Sequence, residues 1–289
     1  MSSPPPRKEY YRFDRFQRVE HLLLIVSFTT LAVTGLPQMY SLQPWASFLI
    51  LGMGGIEFVR VLHRLAAVVL ILGSILHFVA LAYRLLVRRV ALTLLPGWQD
   101  LRDGLQALGH NLGLVRQPPR MGRYNFGEKV EYWAVIWGTV VMVLTGFMLW
   151  NPIATTSLLP GAFIPAAKAA HGGEALLAVL SILTWHFYNV HVKRFNRSMF
   201  TGYISHAEME EEHALELEAI EQGRAERGTD AAALRRRQRI FVPVAAAITG
   251  LLLVGLYFFV TYEQTAIATV PRQQVEVFVP ATPVAEEVH

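Results

Sequence analysis

The sequence predicts an all-α integral membrane protein, built as a four-helix transmembrane bundle followed by a fifth, C-terminal transmembrane helix. Two observations predict this class. More than half of the 289 residues, 53%, are hydrophobic, which exceeds what a soluble domain needs. Five apolar runs are each long enough to cross a bilayer core, which takes about 20 helical residues. These runs are 19–36, 58–86, 131–150, 166–192 and 241–262.

The rest of the chain divides around these runs. Its expected units are a basic N-terminal tail (1–18), the bundle (19–192) with a cytoplasmic loop (87–130), a charged helical segment (193–239), the fifth span (240–262) and an extended tail (263–289). Loop 87–130 contains a pattern typical of a short amphipathic helix. Segment 193–239 has no apolar stripe wide enough for a core, so we expect a solvated helix there.

The basic residues indicate the orientation. Five of them lie in residues 7–18, before the first run, and four lie in residues 235–239, before the fifth. Loops 37–57 and 151–165 contain no Lys or Arg. By the positive-inside rule, the N-terminus is cytoplasmic and the C-terminus periplasmic in a bacterial inner membrane. This placement also explains the pI near 9.4 without a nucleic-acid-binding face, so we expect no nucleic-acid partner.

The chain contains no cysteine. It therefore cannot hold an iron–sulfur cluster or a cysteine zinc site, and it cannot attach a c-type haem covalently. Any metal that it binds must be held by histidine, carboxylate or methionine.

Histidines stand at two depths in the apolar runs. At 1.5 Å per residue, each lies roughly 8–13 Å from the centre of its span. His63 and His171 fall in an outer layer, and His21, His77 and His186 fall in an inner one. Ionisable side chains inside a membrane are costly, so their presence there indicates function.

The angular positions support the same interpretation. At about 100° per residue, His63 and His77 differ by about 40° and His171 and His186 by about 60°, so each pair shares a helix face. His191 lies about 200° from His171, on the opposite side. Facing histidines in two layers predict two b-type haems, each with two axial imidazoles.

Two questions stay open at this level. The outer pair is His63 with His171, but His186 can pair with either His21 or His77. Intramembrane histidines also serve as proton relays, so a haem-free, proton-coupled transporter is the alternative from a different class. Haem content distinguishes these functions.

Three stretches then reveal a family resemblance: RFQRVEHLLLIVSFTTLAVTGLP, VRVLHRLAAVVLILGSILH and GRYNFGEKVEYWAVIWGTVVMVLTGFMLW. Together they resemble the di-haem cytochrome b (gamma) subunits of membrane-bound formate dehydrogenases, over about residues 15–203. WHFYNVH and YEQTAIATVP are closer to relatives encoded with multihaem cytochromes c.

The resemblance implies a ligand set. It pairs His21 with His186 on a cytoplasmic haem and His63 with His171 on a periplasmic haem. His77 is then an additional residue, and it remains the alternative inner ligand.

The resemblance also implies a quinone site at Tyr124-Asn125-Phe126-Gly127, beside the cytoplasmic haem. Asn125 can donate a hydrogen bond to a quinone carbonyl, and Gly127 lets the backbone come close. Without this context, Asn125 is equally well explained as a helix N-cap. His77 or His191 can supply a proton to menaquinone or ubiquinone, although interfacial packing explains His191 as well.

Several charged residues are candidates for contact with the haems. Four arginines are expected near the haem propionates, or else as membrane anchors: Arg15, Arg18, Arg60 and Arg64. Glu174, one turn from His171, is a candidate to orient that imidazole.

We therefore expect an electron-transfer subunit of a larger oxidoreductase that exchanges electrons between a periplasmic partner and the quinone pool. The expected partner is an iron–sulfur protein or a multihaem cytochrome c that docks at the outer haem and the C-terminal tail. A hydrogenase or a sulfur-compound reductase is the alternative to formate dehydrogenase. The sequence does not set the direction of electron flow.

Overall fold

The computed structural model describes residues 9–193, 195–224 and 230–262. Two short strands, β1 (Glu9–Tyr11) and β2 (Tyr203–Ser205), accompany the helices. In chain order the helices of this described part are α1 (Arg15–Met39), α2 (Pro44–Gly52), α3 (Ile56–Ala82), α4 (Trp98–Asn111), α5 (Phe126–Trp150), α6 (Pro152–Leu158), α7 (Phe163–Ser181), α8 (Ser198–Thr201), α9 (His206–Glu212), α10 (Ala214–Glu221) and α11 (Ala231–Thr261). The predicted extended tail, 263–289, lies outside the described residues.

Five helical runs are long and apolar enough to cross a membrane, which confirms the predicted fold class. They are Arg15–Met39, Ile56–Val87, Phe126–Trp150, Phe163–Val192 and Ala231–Thr261. In the most apolar 18-residue window of each run, between 0% and 11% of the residues are buried inside the protein. Their apolar surface therefore faces outward, as expected for helices surrounded by lipid.

The first four spans pack as two helix pairs. Helix α1 packs along α3, and α5 packs along α7, while α1 also contacts α7. Span α11 packs against the inner end of α3, where the ring of Phe241 meets Tyr83 at 5.6 Å between centroids. The result is a four-helix bundle with the fifth helix on its side.

Local sequence sets the inner ends of two spans. The Asp14 side chain accepts a hydrogen bond from the Gln17 backbone N–H at the start of α1. Asn125 accepts one from the Glu128 backbone N–H at the start of α5. Both are capping boxes, which satisfy backbone donors that a helix N-terminus leaves without partners.

Spans two and four end in π-helical turns. Helix α3 continues through Tyr83–Val87, and α7 continues through Ile182–His186 and Tyr188–Val192. A π turn is wider than an α turn, so the angles predicted for an ideal helix do not carry through the end of span four. His186 is the last residue of Ile182–His186, the first π turn of span four.

The amphipathic helix predicted in loop 87–130 is present as α4. Its apolar stripe, which includes Trp98, Leu101, Leu105 and Leu108, is exposed. On the other side, Lys129 of α5 donates to Asp100 at 2.6 Å, and both side chains are 15% exposed. This pair fixes α4 beside the start of span three, with its stripe free to lie on the membrane surface.

Within the charged segment after span four, residues 203–222 contain helices but, contrary to the expectation, are not solvated on all sides. They fold with the N-terminal tail into a small unit (residues 9–13 and 203–222), here called the cytoplasmic cap after the side that the basic residues predict. Strand β1 pairs antiparallel with β2, with Tyr10 opposite Ile204. The buried core of the cap is Tyr10, Ile204, Met209 and Leu217, with Ile220 packed against it.

His213 marks the break between α9 and α10 and is the most deeply enclosed ionisable side chain of the cap, at 1% exposure. Its Nδ1 donates to the backbone carbonyl of Gly122 at 2.9 Å. Its Nε2 lies 4.0 Å from carboxylate oxygens of Glu128 and Glu212. Burial, reinforced by the Arg12 guanidinium, lowers the pKa of His213, although Glu128 and Glu216 oppose this shift.

Acidification is expected to loosen the cytoplasmic cap. Because the folded state favours neutral His213, the stability this residue contributes is complete above about pH 6.5, the ordinary pKa of imidazole. It is lost as the pH falls towards the lowered pKa of the folded state. Hydrogen–deuterium exchange of amides 203–222, compared between about pH 7.5 and about pH 5.5 and corrected for intrinsic rates, measures this loss.

The control for this experiment is His213→Asn, whose amide can still donate to the Gly122 carbonyl but does not titrate. We expect exchange in this variant to change less with pH than in the wild type. Equal pH dependence in the two proteins would show that His213 is not the responsible group.

Candidate functional site

Four histidines meet in two facing pairs inside the bundle. In the outer pair, the ring centroids of His63 on α3 and His171 on α7 lie 6.4 Å apart, with an interplanar angle of 65°. In the inner pair, those of His21 on α1 and His186 lie 6.3 Å apart, at 49°. Since 15 residues separate His171 from His186, the pairs stand about 20 Å apart along span four.

The separation within each pair fits one metal ion between two imidazoles. A metal–nitrogen bond of about 2 Å on each side, with each ring centroid about 1 Å behind its nitrogen, places the centroids roughly 6 Å apart. In the described part of the chain, no group of three or more His, Cys, Asp or Glu side chains could hold a metal. The pairs therefore suit an ion whose remaining ligands come from a macrocycle, as in haem.

Threonine hydroxyls fix the outer imidazoles. Thr34 Oγ1 lies 2.9 Å from His63 Nδ1, and its own proton goes to the Thr30 carbonyl at 2.6 Å. The hydroxyl oxygen consequently accepts the proton of His63 Nδ1. Thr145 does the same for His171, at 2.8 Å. In both rings Nε2 is left as the unprotonated nitrogen, which is the form that coordinates a metal.

Glycines next to these threonines make room for the rings. A Cβ added at Gly35 would lie 3.0 Å from His63 Cε1, and one at Gly146 would lie 3.4 Å from His171 Cε1. The same Thr-Gly dipeptide thus stands in span one and in span three, and each copy holds the histidine of the neighbouring span. This repeated dipeptide is the sequence signal that could have identified Thr34 and Thr145, which sequence reasoning missed.

A carboxylate fixes the inner imidazole of span four. His186 Nδ1 donates to Glu131 Oε2 at 2.8 Å. Glu131 lies on α5, so the partner again comes from the neighbouring helix of the pair. Because a carboxylate attracts the imidazole proton more strongly than a hydroxyl does, it makes His186 the more basic ligand. Sequence reasoning missed Glu131 as well.

His77 belongs to a different group of side chains. Its Nδ1 lies 3.2 Å from Glu20 Oε1, and its Nε2 lies 3.0 Å from the Tyr132 hydroxyl. Nδ1 donates to the carboxylate, so Nε2 accepts from the phenol. Both ring nitrogens have partners, and the ring that faces His186 is that of His21. This geometry favours His21 over His77 as the inner ligand.

The predicted quinone motif starts span three, where Asn125 takes the N-cap position. Its Oδ1 accepts the Glu128 backbone N–H at 2.8 Å, which leaves its amide Nδ2–H₂ to donate to a ligand. A Cβ on Gly127 would lie 3.4 Å from the Trp185 ring. Gly127 therefore also allows span three to approach span four next to His186.

His191 packs between two aromatic rings, one from its own helix and one from the segment that follows it. The ring centroids of Phe187 and Phe195 lie 5.1 Å and 5.7 Å from that of His191. These contacts favour the packing alternative for His191 over a role in proton supply.

The charged candidates occupy different environments. Arg18 donates to the Phe200 carbonyl at 2.7 Å, and exposed Arg60 pairs with Glu57 at 3.1 Å. Arg64 lies over the Trp150 ring, 4.7 Å from its centroid. Arg15 begins α1 with its side chain exposed.

Glu174 lies on span four, one turn after His171. The His171 Nδ1–H donates to Thr145 Oγ1 at 2.8 Å. A carboxylate oxygen of Glu174 lies beside Gly138, 2.7 Å from the position of a Cβ added to that glycine. These contacts favour Thr145 over Glu174 as the residue that orients His171.

A membrane-spanning helical bundle with paired intramembrane histidines is the architecture of a membrane cytochrome b. Residues 12–202 match the family model for prokaryotic cytochrome b561, and the chain belongs to this family. The family's b-type haem fits the residues present here, since the ring centroids of each histidine pair have the separation that one metal ion requires and glycines clear space beside the outer rings.

The curated relatives are subunits of formate dehydrogenase. The chain is 24% identical over 211 residues to the cytochrome b556(fdo) subunit of Escherichia coli K12, covering 72% of this chain and 91% of that subunit. It is 19% identical over 223 residues to the nitrate-inducible cytochrome b556(Fdn) subunit, covering 77% and 97%. The protein is thus a membrane cytochrome b that takes part in electron transfer, and it is similar to the cytochrome b subunits of formate dehydrogenases.

Haem content separates the ligand alternatives. We expect His63→Ala or His171→Ala to lose the outer haem, and His21→Ala or His186→Ala to lose the inner one. His77→Ala should retain both, because His77 bonds Glu20 and Tyr132. A pyridine haemochrome assay on each purified full-length variant, with reduced-minus-oxidised spectra, measures these contents. If His77→Ala loses a haem and His21→Ala retains both, His77 and not His21 is the inner haem ligand.

Proposed function

We propose that this chain carries electrons through two b-type haems, between a periplasmic redox partner and a quinone bound at the cytoplasmic side. His63 and His171 hold the outer haem, and His21 and His186 hold the inner one. The observation that carries the proposal is the pair of 6.3 and 6.4 Å separations between facing imidazole rings. When bound, haem supplies a one-electron carrier whose potential depends on its axial ligands and their hydrogen bonds.

Neighbouring residues hold three of the four imidazoles ready for this function. Thr34 and Thr145 hold the outer rings, and Glu131 holds His186, in each case through Nδ1. Hydrogen bonds at this nitrogen orient the ring and increase its basicity at the other nitrogen. The site therefore needs little rearrangement when its ligands bind metal.

The quinone site is proposed at the start of α5. The amide of Asn125 donates to a quinone carbonyl, because its Oδ1 already accepts the Glu128 backbone N–H. Gly127 and Trp185 bring this turn beside His186, which shortens the path from the inner haem to the quinone. Ubiquinone and menaquinone both present the carbonyl that this donor would bind.

Charge supports the orientation of the module. The strands and helices of the cytoplasmic cap and the basic segments lie at the end of the bundle that holds His21 and His186. Loops 37–57 and 151–165, at the other end, contain no Lys or Arg. By the positive-inside rule, the inner pair is cytoplasmic and the outer pair periplasmic.

A periplasmic redox subunit, an iron–sulfur protein or a multihaem cytochrome c, would dock beside the outer haem. The support is that the relatives are named as subunits of formate dehydrogenase. Electrons that move inward across the membrane do work against its potential, about 2.3 kcal/mol per charge at 100 mV. Quinone reduction at the cytoplasmic side would conserve this energy.

Asn125→Asp tests the quinone site. Aspartate caps a helix as well as asparagine does, but it lacks the amide donor. The concentration of a short-chain quinol that gives half-maximal haem reduction should rise about tenfold, which corresponds to the loss of a hydrogen bond worth about 1.4 kcal/mol. Stopped-flow haem reduction by decylubiquinol and menadiol measures this concentration, with haem content as the control. An unchanged concentration for both quinols would place the site elsewhere.

Cysteine labelling tests the orientation, and the natural chain provides a clean background because it has no cysteine. Ser41 follows α1 at the outer end, and Gln222 follows α10 in the cytoplasmic cap, both exposed. In intact spheroplasts a membrane-impermeant maleimide should label Ser41→Cys, and should label Gln222→Cys only after permeabilisation. The reverse labelling pattern would show that the orientation is the opposite, with the N-terminal end of the bundle facing the periplasm.

A further inference from the structure

The N-terminal tail reaches the proposed quinone site through one buried arginine. Arg12 is 3% exposed, although it precedes the first span in a segment predicted to be a basic tail. Its Nη2 donates to both carboxylate oxygens of Glu128, at 3.1 and 3.3 Å. The Arg12 side chain is buried and Glu128 is 32% exposed, and a charge-assisted contact to both carboxylate oxygens is stronger than an ion pair between two exposed side chains.

Glu128 passes this contact on to the quinone motif. The same carboxylate accepts the backbone N–H of Asn125 at 2.9 Å, and the Glu128 N–H donates to Asn125 Oδ1 at 2.8 Å. The guanidinium carbon of Arg12 also lies 5.5 Å from the centroid of the Tyr124 ring. Arg12 thus contacts the residue before Asn125 directly and Asn125 itself through Glu128.

The backbone of Arg12 is held at both of its polar groups. Its N–H donates to the Gly202 carbonyl at 2.8 Å, where the chain enters β2. Its carbonyl accepts a hydrogen bond from Arg123 at 2.9 Å, and Arg123 also pairs with Glu216 of α10 at 3.2 Å. Arg12 therefore cannot move independently of the strand pair or of the turn before α5.

The cytoplasmic cap holds this turn from its other side. The Gly122 carbonyl accepts from His213, and the Met121 carbonyl accepts the Leu215 N–H at 3.0 Å. Residues 121–125 thus lie between Arg12 and the start of α10. A turn held on both sides presents its side chains in one arrangement.

We infer that Arg12 is a positioning residue of the quinone site, acting through Glu128 to fix the Asn125 amide and the Tyr124 ring. This inference rests on the proposed function. The cytoplasmic cap is the frame that makes Arg12 effective, and most of that frame, residues 203–222, lies beyond the residues that the family model matches. The N-terminal tail is consequently part of the quinone site and does more than orient the protein in the membrane.

The test uses the purified full-length protein with its haem in nanodiscs. The half-saturating concentration and limiting rate of haem reduction by menadiol are measured for Arg12→Gln and Arg12→Lys. Arg12→Gln should raise the half-saturating concentration about tenfold, with little change in the limiting rate. Arg12→Lys keeps the charge but loses the planar fork, so its increase should be smaller, about threefold. Haem spectra and midpoint potentials should stay unchanged, a result that a general loss of structure would not give.

The matched control is Arg120→Gln. Arg120 also pairs with the cytoplasmic cap, through Glu218 at 2.8 Å, but its side chain is 63% exposed and contacts a different carboxylate. We expect it to behave as wild type. Equal effects of Arg12→Gln and Arg120→Gln, or no effect of Arg12→Gln, would overturn the inference.

Two further variants complete the design. Glu128→Gln keeps the capping box but loses the charge that Arg12 binds. In the double variant with Arg12→Gln, we therefore expect the same half-saturating concentration as in Arg12→Gln alone. Additive increases would show that Arg12 does not act through Glu128. If Arg12→Gln does not fold, Arg12→Lys and Glu128→Gln decide, and wild-type behaviour of both overturns the inference. If Asn125→Asp raises the half-saturating concentration tenfold and Arg12→Gln leaves it unchanged, the quinone site stands and the role of Arg12 is rejected. If Asn125→Asp leaves this concentration unchanged, the proposed quinone site itself is rejected.

Discussion

The structure depends on giving the intramembrane imidazoles hydrogen-bond partners in an environment without water. Inside a bilayer, a polar group with no partner costs several kcal/mol. The outer rings meet this constraint by donating from Nδ1 to a threonine whose own proton goes to its helix backbone. Each outer ring keeps one lone pair, at Nε2, and the two ring centroids lie 6.4 Å apart across the bundle. The hydrogen bonds thus select the tautomer that binds metal.

These hydrogen bonds also explain how the bundle is assembled. Each of them lies within a helix pair: Thr34 and His63 join α1 to α3, and Thr145 and His171 join α5 to α7. The facing imidazoles instead connect the α1–α3 helix pair to the α5–α7 pair, since His21 and His63 each face a histidine of span four. The hydrogen bonds within each half orient its histidines, and the proposed metal sites lie where the halves meet.

The sequence predicted those parts of the molecule that follow from depth and period. Five spans, the amphipathic α4 and the division of the histidines into two layers depend only on residue spacing along single helices. The choice between His21 and His77 could not be made this way. It depends on Glu20 and Tyr132, which come from two other spans and are close only after the helices pack.

The cytoplasmic cap escaped prediction for a related reason. Its core takes one residue from β1, one from β2 and one from each of two short helices: Tyr10, Ile204, Met209 and Leu217. No single segment carries an apolar stripe, so the pattern of each segment alone predicts a solvent-exposed element. Likewise, the sequence places Arg12 among basic residues that orient the protein in the membrane. Its further role is visible only in its contact with Glu128.

The two ends of the bundle differ in what their histidines contact, and this difference bears on function. Threonine hydroxyls hold the outer rings, and an aliphatic hydroxyl does not ionise near neutral pH. At the inner end, Glu131 holds His186, and Glu20 lies beside His77. Quinone reduction consumes protons as well as electrons, whereas exchange with a redox protein requires electrons alone. Histidines bonded to carboxylates at the inner end and to hydroxyls at the outer end agree with the quinone site that we propose at the inner end.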